Sequence, residues 1–259
     1  MFNYIMEWLI ILIILILLYL INYYLQNNKD FINEKLDASI IVEPRKDPML
    51  IKVLNNFLKL LPKNTIIYIF HGTENEKYIY EHFYKQINNG KIILINLNKK
   101  NLTINDYNLL LVSKKFYNMI KGENLLIFQM DTCLCSNTKY KFQDFFMYDY
   151  VGAPWMKNNL NVKNVKNKVG NGGLSLRKKS SILKHIDSHP YKGEPEDVYF
   201  AKSNILKFPS IEKAAQFSTE HLFNPYSMGF HKPDVHLSES NKKIIRNMCP
   251  EFQEVFESK

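Results

Sequence analysis

Arginine is scarce in this sequence. Of 34 basic residues only Arg45, Arg177 and Arg246 carry a guanidinium, so the formal net charge of +9 is a lysine charge. Bidentate reading of bases and phosphates relies on the planar fork of Arg. A lysine surplus speaks to solubility and non-specific attraction more than to a site, so no specific nucleic-acid partner is expected. Lys, Asn, Ile and Tyr recur from end to end, the usage that a coding bias toward A and T produces. Cysteine is equally sparse. Three residues cannot build a disulfide scaffold, and with Cys133 and Cys135 two positions apart at most one of them can pair with Cys249. Nine Gly and ten Pro beside 46% hydrophobic residues exclude a low-complexity or disordered chain and leave material for one sizeable core. There is no internal repeat, no dinucleotide fingerprint and no Walker loop.

Charge is missing altogether from residues 8–25, WLIILIILILLYLINYYL. Eighteen helical residues nearly span a hydrocarbon core of roughly 30 Å, and the uncharged residues 1–6 extend the segment past Glu7. Trp8 at one end and Tyr19, Tyr23 and Tyr24 at the other fit interfacial positions. A basic leader and a small-x-small cleavage site are absent, which favours an uncleaved single-pass anchor in the lipid bilayer over a signal peptide. The flanking Lys29 and Lys35 specify orientation weakly, leaving lumenal and cytosolic placement open. Asn101-Leu102-Thr103 is a glycan acceptor only in a lumen.

Beyond a polar stem, residues 26–37, the pattern becomes α/β. Residues 39–42, 66–70, 91–97 and 125–129 read as buried strands. Between the first two, Asp47-Pro48 caps a helix carrying Leu50, Val53, Leu54, Phe57, Leu58 and Leu61. Thr73-x-x-Glu76 reads as a capping box for a helix ending near Asn89-Gly90, and residues 105–120 as a mixed helical segment. Strands alternating with helices imply a mostly parallel sheet covered on both faces. Ligands bind such sheets beyond the carboxyl ends of the strands.

Asp131, just past the fourth strand, is placed there, where a carboxylate can hold a divalent cation; taken alone it is as readily a turn residue. Gly170-Asn171-Gly172-Gly173-Leu174-Ser175-Leu176-Arg177 concentrates three glycines in four residues, which calls for positive φ, close approach to a ligand or a tight turn. Pro195 can open a helix with Glu196 and Asp197 in its first turn. Trp155, in YVGAPW, is a candidate sugar-stacking platform or equally a core or lid-packing residue, followed by an Asn- and Lys-rich loop, residues 156–168, that reads as a mobile cover. His231 and Lys232 offer an imidazole for a metal and an ammonium for a diphosphate. His185, His189 and His236 read as surface residues. The polar segment 238–259 receives no function.

In order, IVEPR (41–45), IFHG (69–72), FQMDT (128–132), YVGAPW (150–155), GNGGLSLR (170–177), EDVYF (196–200), FSTE (217–220) and GFHK (229–232) resemble a family of glycosyltransferase-like domains of unknown function, over residues 39–233. The resemblance implies a GT-A-like Rossmann-type domain over residues 38–250, with 1–25 as the anchor and 251–259 as a tail. More distantly, the Gly-rich turn followed by Glu-Asp-Val is similar to beta-1,3-galactosyltransferases and Fringe-like enzymes. That similarity implies an inverting transfer with Asp197 as base beside Glu196. It also implies Mn2+ or Mg2+ on Asp131 and His231, although the Asp-x-Asp of those families is reduced here to Asp131-Thr132-Cys133. Donor contacts are implied for Glu43, Arg45, Asp131, Thr132, Gly172, Gly173, Arg177 and Lys232, with holding the loop as the alternative for Arg177, and an acceptor or lid contact for Trp155. A UDP-sugar is the favoured donor; the acceptor is a glycan, a protein or a lipid. Two rival expectations stand beside this one: a membrane-tethered, non-catalytic module binding glycan or nucleotide, and a polyanion binder working through its lysines.

Overall fold

A computed structural model describes residues 6, 11–20, 23, 35–156, 162, 165 and 167–257. The chain divides into residues 1–35 and a compact unit from Leu36 onward. In the first unit residues 11–20 are helical, and Ile11, Leu12, Ile13 and their apolar successors are about half exposed. Among the described residues no helix is long and apolar enough to cross a membrane. The remainder of the expected anchor, most of the stem and most of the expected loop at 156–168 lie outside the described residues.

The compact unit is built on a six-stranded sheet in the order β3-β2-β1-β4-β7-β6. β1 (Ala38–Glu43), β2 (Ile66–His71), β3 (Ile92–Asn96) and β4 (Asn124–Phe128) are parallel, while β7 (Leu174–Lys178) runs antiparallel to both β4 and β6 (Tyr150–Gly152). The strands are apolar because both sheet faces are covered. Ile41, Ile67, Ile69, Leu126 and Phe128 face Leu50, Val53, Leu54 and Phe57 of helix α1 (Pro48–Leu60). Ile40, Val42, Tyr68, Phe70, Leu125 and Ile127 join a second layer with Phe116, Tyr117 and Phe200. The Phe57 and Phe128 rings stack at 3.8 Å between centroids. Asp47 caps α1, its side chain accepting from the Met49 N–H at 2.8 Å, with Pro48 in the first turn.

Helix α2 (Glu76–Asn88) departs from the expected Thr73 capping box. It begins after Asn75, whose amide is spent on the first loop: Nδ2 donates to the carbonyls of Glu43 and Arg45 at 2.8 and 3.0 Å, and Oδ1 accepts from the Gly72 N–H. A Cβ on Gly72 would collide with the Pro44 and Lys99 carbonyls, so glycine is required where these two loops meet. The expected helix at 105–120 is two helices, α3 (Ile104–Leu111) and α4 (Lys114–Asn118), because Ser113 caps the second by accepting from the Phe116 N–H.

A second sheet of three short strands, ordered β5-β9-β8, brings together β5 (Thr132–Leu134), β8 (Ser218–Thr219) and β9 (Gly229–His231). Residues 251–257, expected as a tail, pack into the core instead. Phe252 and Val255 are buried there, and Cys249 is bonded to Cys135 across 114 residues of chain. Cys133 is left as a buried thiol. The unit therefore runs from Leu36 through the C-terminal segment, two residues ahead of the expected start at 38.

Candidate functional site

The sheet order reverses between β1 and β4, and at their carboxyl ends lies a cavity of about 830 Å³. It is lined by Glu43 at the end of β1 and Arg45 from the loop after it, Asp131 from the loop after β4, Gly172 and Gly173 before β7, Glu196 and Asp197, and His231 and Lys232 at the end of β9. Asn101 and Tyr107 also face it.

The register of the small sheet explains the pairing at its centre. Thr132 is opposite His231 in the antiparallel β5–β9 ladder, and the Lys232 N–H donates to the Asp131 carbonyl at 2.8 Å. Asp131 is thereby held beside His231, with Oδ1 at 3.3 Å from Nε2. Gln129 Oε1 lies 3.2 Å from the same nitrogen, while its Nε2 donates to the Tyr107 hydroxyl at 2.9 Å. On the other side of the ring, Nδ1 is 3.2 Å from Glu220 Oε1. Burial alone would lower the His231 pKa, but Asp131 and Glu220 outweigh it and raise the value. Lys232 turns the chain away with φ of 46°, in the left-handed region unusual for a residue with a side chain.

These groups fit a divalent cation. Asp131 Oδ1, 3.3 Å from His231 Nε2, is a buried atom without a hydrogen bond. A carboxylate and an imidazole Nε2 opening on the cavity are donors that Mn2+ or Mg2+ accepts when phosphate oxygens complete the shell. Glu220 on the far nitrogen fixes the ring orientation, as carboxylates do behind metal-binding histidines.

The two acids after Pro195 separate in role. In helix α6, which follows the intervening helix α5 (Lys179–Ser188), residues Glu196–Ala201 place both carboxylates in the first turn. Glu196 is buried, with both its oxygens 3.0 and 3.1 Å from Arg177 Nη2. Asp197 is half-buried at the cavity wall. Its Oδ1 accepts from the Val198 N–H at 2.8 Å and Oδ2 from the Gly172 N–H at 3.4 Å. Burial raises the Asp197 pKa, and those two N–H groups and the Arg177 charge only partly offset it.

The expected donor contacts of Arg177 and Thr132 are corrected. Arg177 is fully buried and reaches no donor. Its guanidinium stacks on Tyr150 and Phe200 and donates to the Ser175 hydroxyl, the Tyr117 hydroxyl and Glu196, so it holds the Gly-rich strand against α6. Glu196 is bound to that guanidinium at the edge of the cavity. Thr132 is buried with its hydroxyl donating to the Gln129 carbonyl at 2.6 Å, and it does not line the cavity. Trp155 is packed among Val162, Val165, Val198 and Ala201, with no face offered for sugar stacking.

The glycines divide the expected reasons between them. Positive φ falls on Gly170, at 126°, whereas Gly172 and Gly173 are small because side chains press on them. A Cβ at Gly172 would strike Glu196, and one at Gly173 would strike His231. Arg45 is steered by Glu43, whose carboxylate accepts from Nε and Nη2 at 2.8 and 2.7 Å, leaving the guanidinium half-exposed at the cavity. His185, expected on the surface, is buried against Tyr199 and Phe200, and desolvation lowers its pKa to about 4. His189 stacks on it, and His236 is partly buried near Glu220. Gln129, Tyr107 and Glu220 were not singled out from the sequence, although Gln129 and Glu220 sit inside FQMDT and FSTE.

An α/β sheet, mostly parallel, with an acidic and imidazole-bearing cavity at its switch point defines a GT-A-like architecture. The chain resembles the apo-form glycosyltransferase GlyE of Streptococcus pneumoniae TIGR4 with a TM-score of 0.51 at 8% identity, over 86% of this chain and 61% of that one. It is also similar to the mannosyltransferase PcManGT from Pyrobaculum calidifontis, solved with GDP-Man and Mn2+, at TM-score 0.45 and 12% identity over 90% of this chain and 74% of that one. GalNAc-T7, solved with UDP, GalNAc and Mn2+, gives TM-score 0.44 and 12% identity over 77% and 44% of the two chains. No curated protein sequence matches this chain. Residues 91–231 match the family described as a protein of unknown function (DUF5672), and the chain belongs to that family. The matched segment includes Asp131, Gly172, Gly173, Asp197 and His231.

Proposed function

We propose that this protein is a glycosyltransferase that moves a sugar from a nucleotide-sugar donor to a hydroxyl acceptor with inversion. The observation that carries the reading is one cavity holding Asp131 beside His231 together with the base candidate Asp197. The donor diphosphate lies toward Asp131, His231 and Lys232, and Arg45, oriented by Glu43, supplies a further cationic contact. Asp131 and His231 are the residues that would hold a divalent cation; when bound, it neutralises the charge of the leaving diphosphate.

Asp197 takes the proton from the acceptor hydroxyl as that oxygen bonds to the anomeric carbon and the bond from carbon to the diphosphate oxygen breaks. A carboxylate whose pKa burial has raised is a stronger base than an exposed one. Glu196 carries no proton in this scheme. It fixes Arg177, and through it the Gly-rich strand. Most of the rate comes from positioning and charge stabilisation. A UDP-sugar is the donor we favour, and the acceptor is a glycan, a protein or a lipid.

The domain is carried on an N-terminal single-pass anchor, a reading that rests on the uncharged run at residues 8–25 and the apolar helix at 11–20. Resistance to alkaline carbonate extraction tests it. A glycan on Asn101 would place the domain in a lumen and no glycan would favour the cytosol.

The function is tested by incubating the full chain with UDP-, GDP- and CMP-sugars, with and without Mn2+, beside an Asp197→Asn variant. Hydrolysis or transfer of one donor by the wild type alone supports the reading. Nucleotide binding without turnover by either protein would replace it with the non-catalytic binding module.

A further inference from the structure

Behind the cavity, on the side of His231 away from Asp131, three polar side chains converge that the transfer reaction leaves unused as ligands. Glu220 and His221 follow β8, and His236 closes the short helical turn Pro233–His236 after β9. His221 Nδ1 lies 3.1 Å from Glu220 Oε2, and His236 Nε2 lies 3.6 Å from Glu220 Oε1. The two imidazoles are 4.0 Å apart between centroids and tilted by 33° to one another. One ligand atom from each residue falls within 4.8 Å of the other two, so small side-chain shifts bring all three onto one ion. Glu220 is buried, whereas His221 and His236 keep about a fifth to a quarter of their side-chain surface exposed, so an ion can enter from solvent.

We infer that Glu220, His221 and His236 form a second metal site, selective for Zn2+ or a similar borderline cation. Two imidazoles and one carboxylate are a donor set that zinc accepts with water as the fourth ligand. Nitrogen donors disfavour Mg2+ and Mn2+, which the oxygen-rich cavity side suits better. The segment this ion would fasten to β8 contains Lys232, Asp234 and Val235, which line the cavity, so zinc serves here as a clamp on the cavity wall.

The test uses the full chain, stripped with chelator and titrated with Zn2+ alone, with Co2+ as the spectroscopic substitute. Bound metal and the thermal midpoint are followed. The expected result is one tight Zn2+ that Asp131→Ala retains and that His221→Ala/His236→Ala binds at least tenfold more weakly, together with a zinc-dependent rise in midpoint lost only in the double variant. A single His236→Gln exchange, on a partly exposed side chain, weakens Zn2+ in the same direction if the double variant folds poorly. Folded wild type without Zn2+ binding, equal affinity in the histidine variants, or loss in Asp131→Ala alone would each overturn the site. None of these readouts depends on sugar transfer, so the site stands or falls separately from the proposed reaction.

Discussion

The two halves of the compact unit are built on different terms. From Ala38 to Phe128 the chain lays down long apolar strands and amphipathic helices whose buried residues recur with the period of their element. From Gln129 onward most strands are two or three residues long, and polar side chains rather than periodic apolar ones hold the pieces together: Arg177 with Glu196, His231 with Glu220, Asn171 with Gly173. The first half supplies the platform and the second nearly all the chemistry. Substitutions should therefore cost stability in the first half, and activity, or stability through buried charge, in the second.

The largest effect is expected at Asp197. Loss of a general base costs about 10²- to 10⁴-fold in rate, so Asp197→Asn should lower kcat by that order with the donor dissociation constant unchanged. Next comes Arg177. Removing one partner of a buried ion pair costs about 3–5 kcal/mol, so Arg177→Leu should lower unfolding stability by that amount in urea, and Arg177→Leu/Glu196→Leu should recover much of it. In the first half, Phe57→Ala should cost about 3–5 kcal/mol through the cavity left beneath Phe128, while the folded fraction keeps its turnover. A large fall in kcat per folded molecule for Phe57→Ala would erase the contrast between the halves.

Smaller effects sharpen it. Asp197 has a folded-state pKa raised above its unfolded value by burial, so its contribution to stability is present in acid and is lost as pH rises through the folded value. Asp197→Asn should therefore be more stable than the wild type at neutral pH, with the gain vanishing near pH 3, as urea melts at the two pH values would show. Wild-type kcat should rise with pH through a value higher than that of an exposed Asp. Lys232, in the left-handed region, should gain about 1 kcal/mol of stability on change to Gly, with donor binding weakened by loss of the ammonium.

The same contrast explains what could be read in advance. Leu50, Val53, Leu54 and Phe57 announce α1 because helical spacing is local, and the apolar runs at β1, β2 and β4 are local too. The meeting of Asp131 with His231 is not, since it depends on the register of two three-residue strands about a hundred positions apart. Ordered motifs pointed to those residues, but only the ladder shows how they pair. For Arg177 the sequence leaves a phosphate contact and a loop-holding role open, and the choice falls only where Tyr150, Tyr117, Phe200 and Glu196 enclose it. The donor contact expected of Thr132 fails, and Trp155 takes the packing role of its open alternatives, because burial is a tertiary property.

The most direct test of the central claim, that the cavity beyond β1 and β4 binds a nucleotide sugar, is a thermal-shift series on the full chain with UDP-, GDP- and CMP-sugars, with and without Mn2+. The account predicts a rise in midpoint with one nucleotide, dependent on Mn2+ and lost in Asp131→Ala. No rise with any of them, from a protein that unfolds cooperatively, would contradict it.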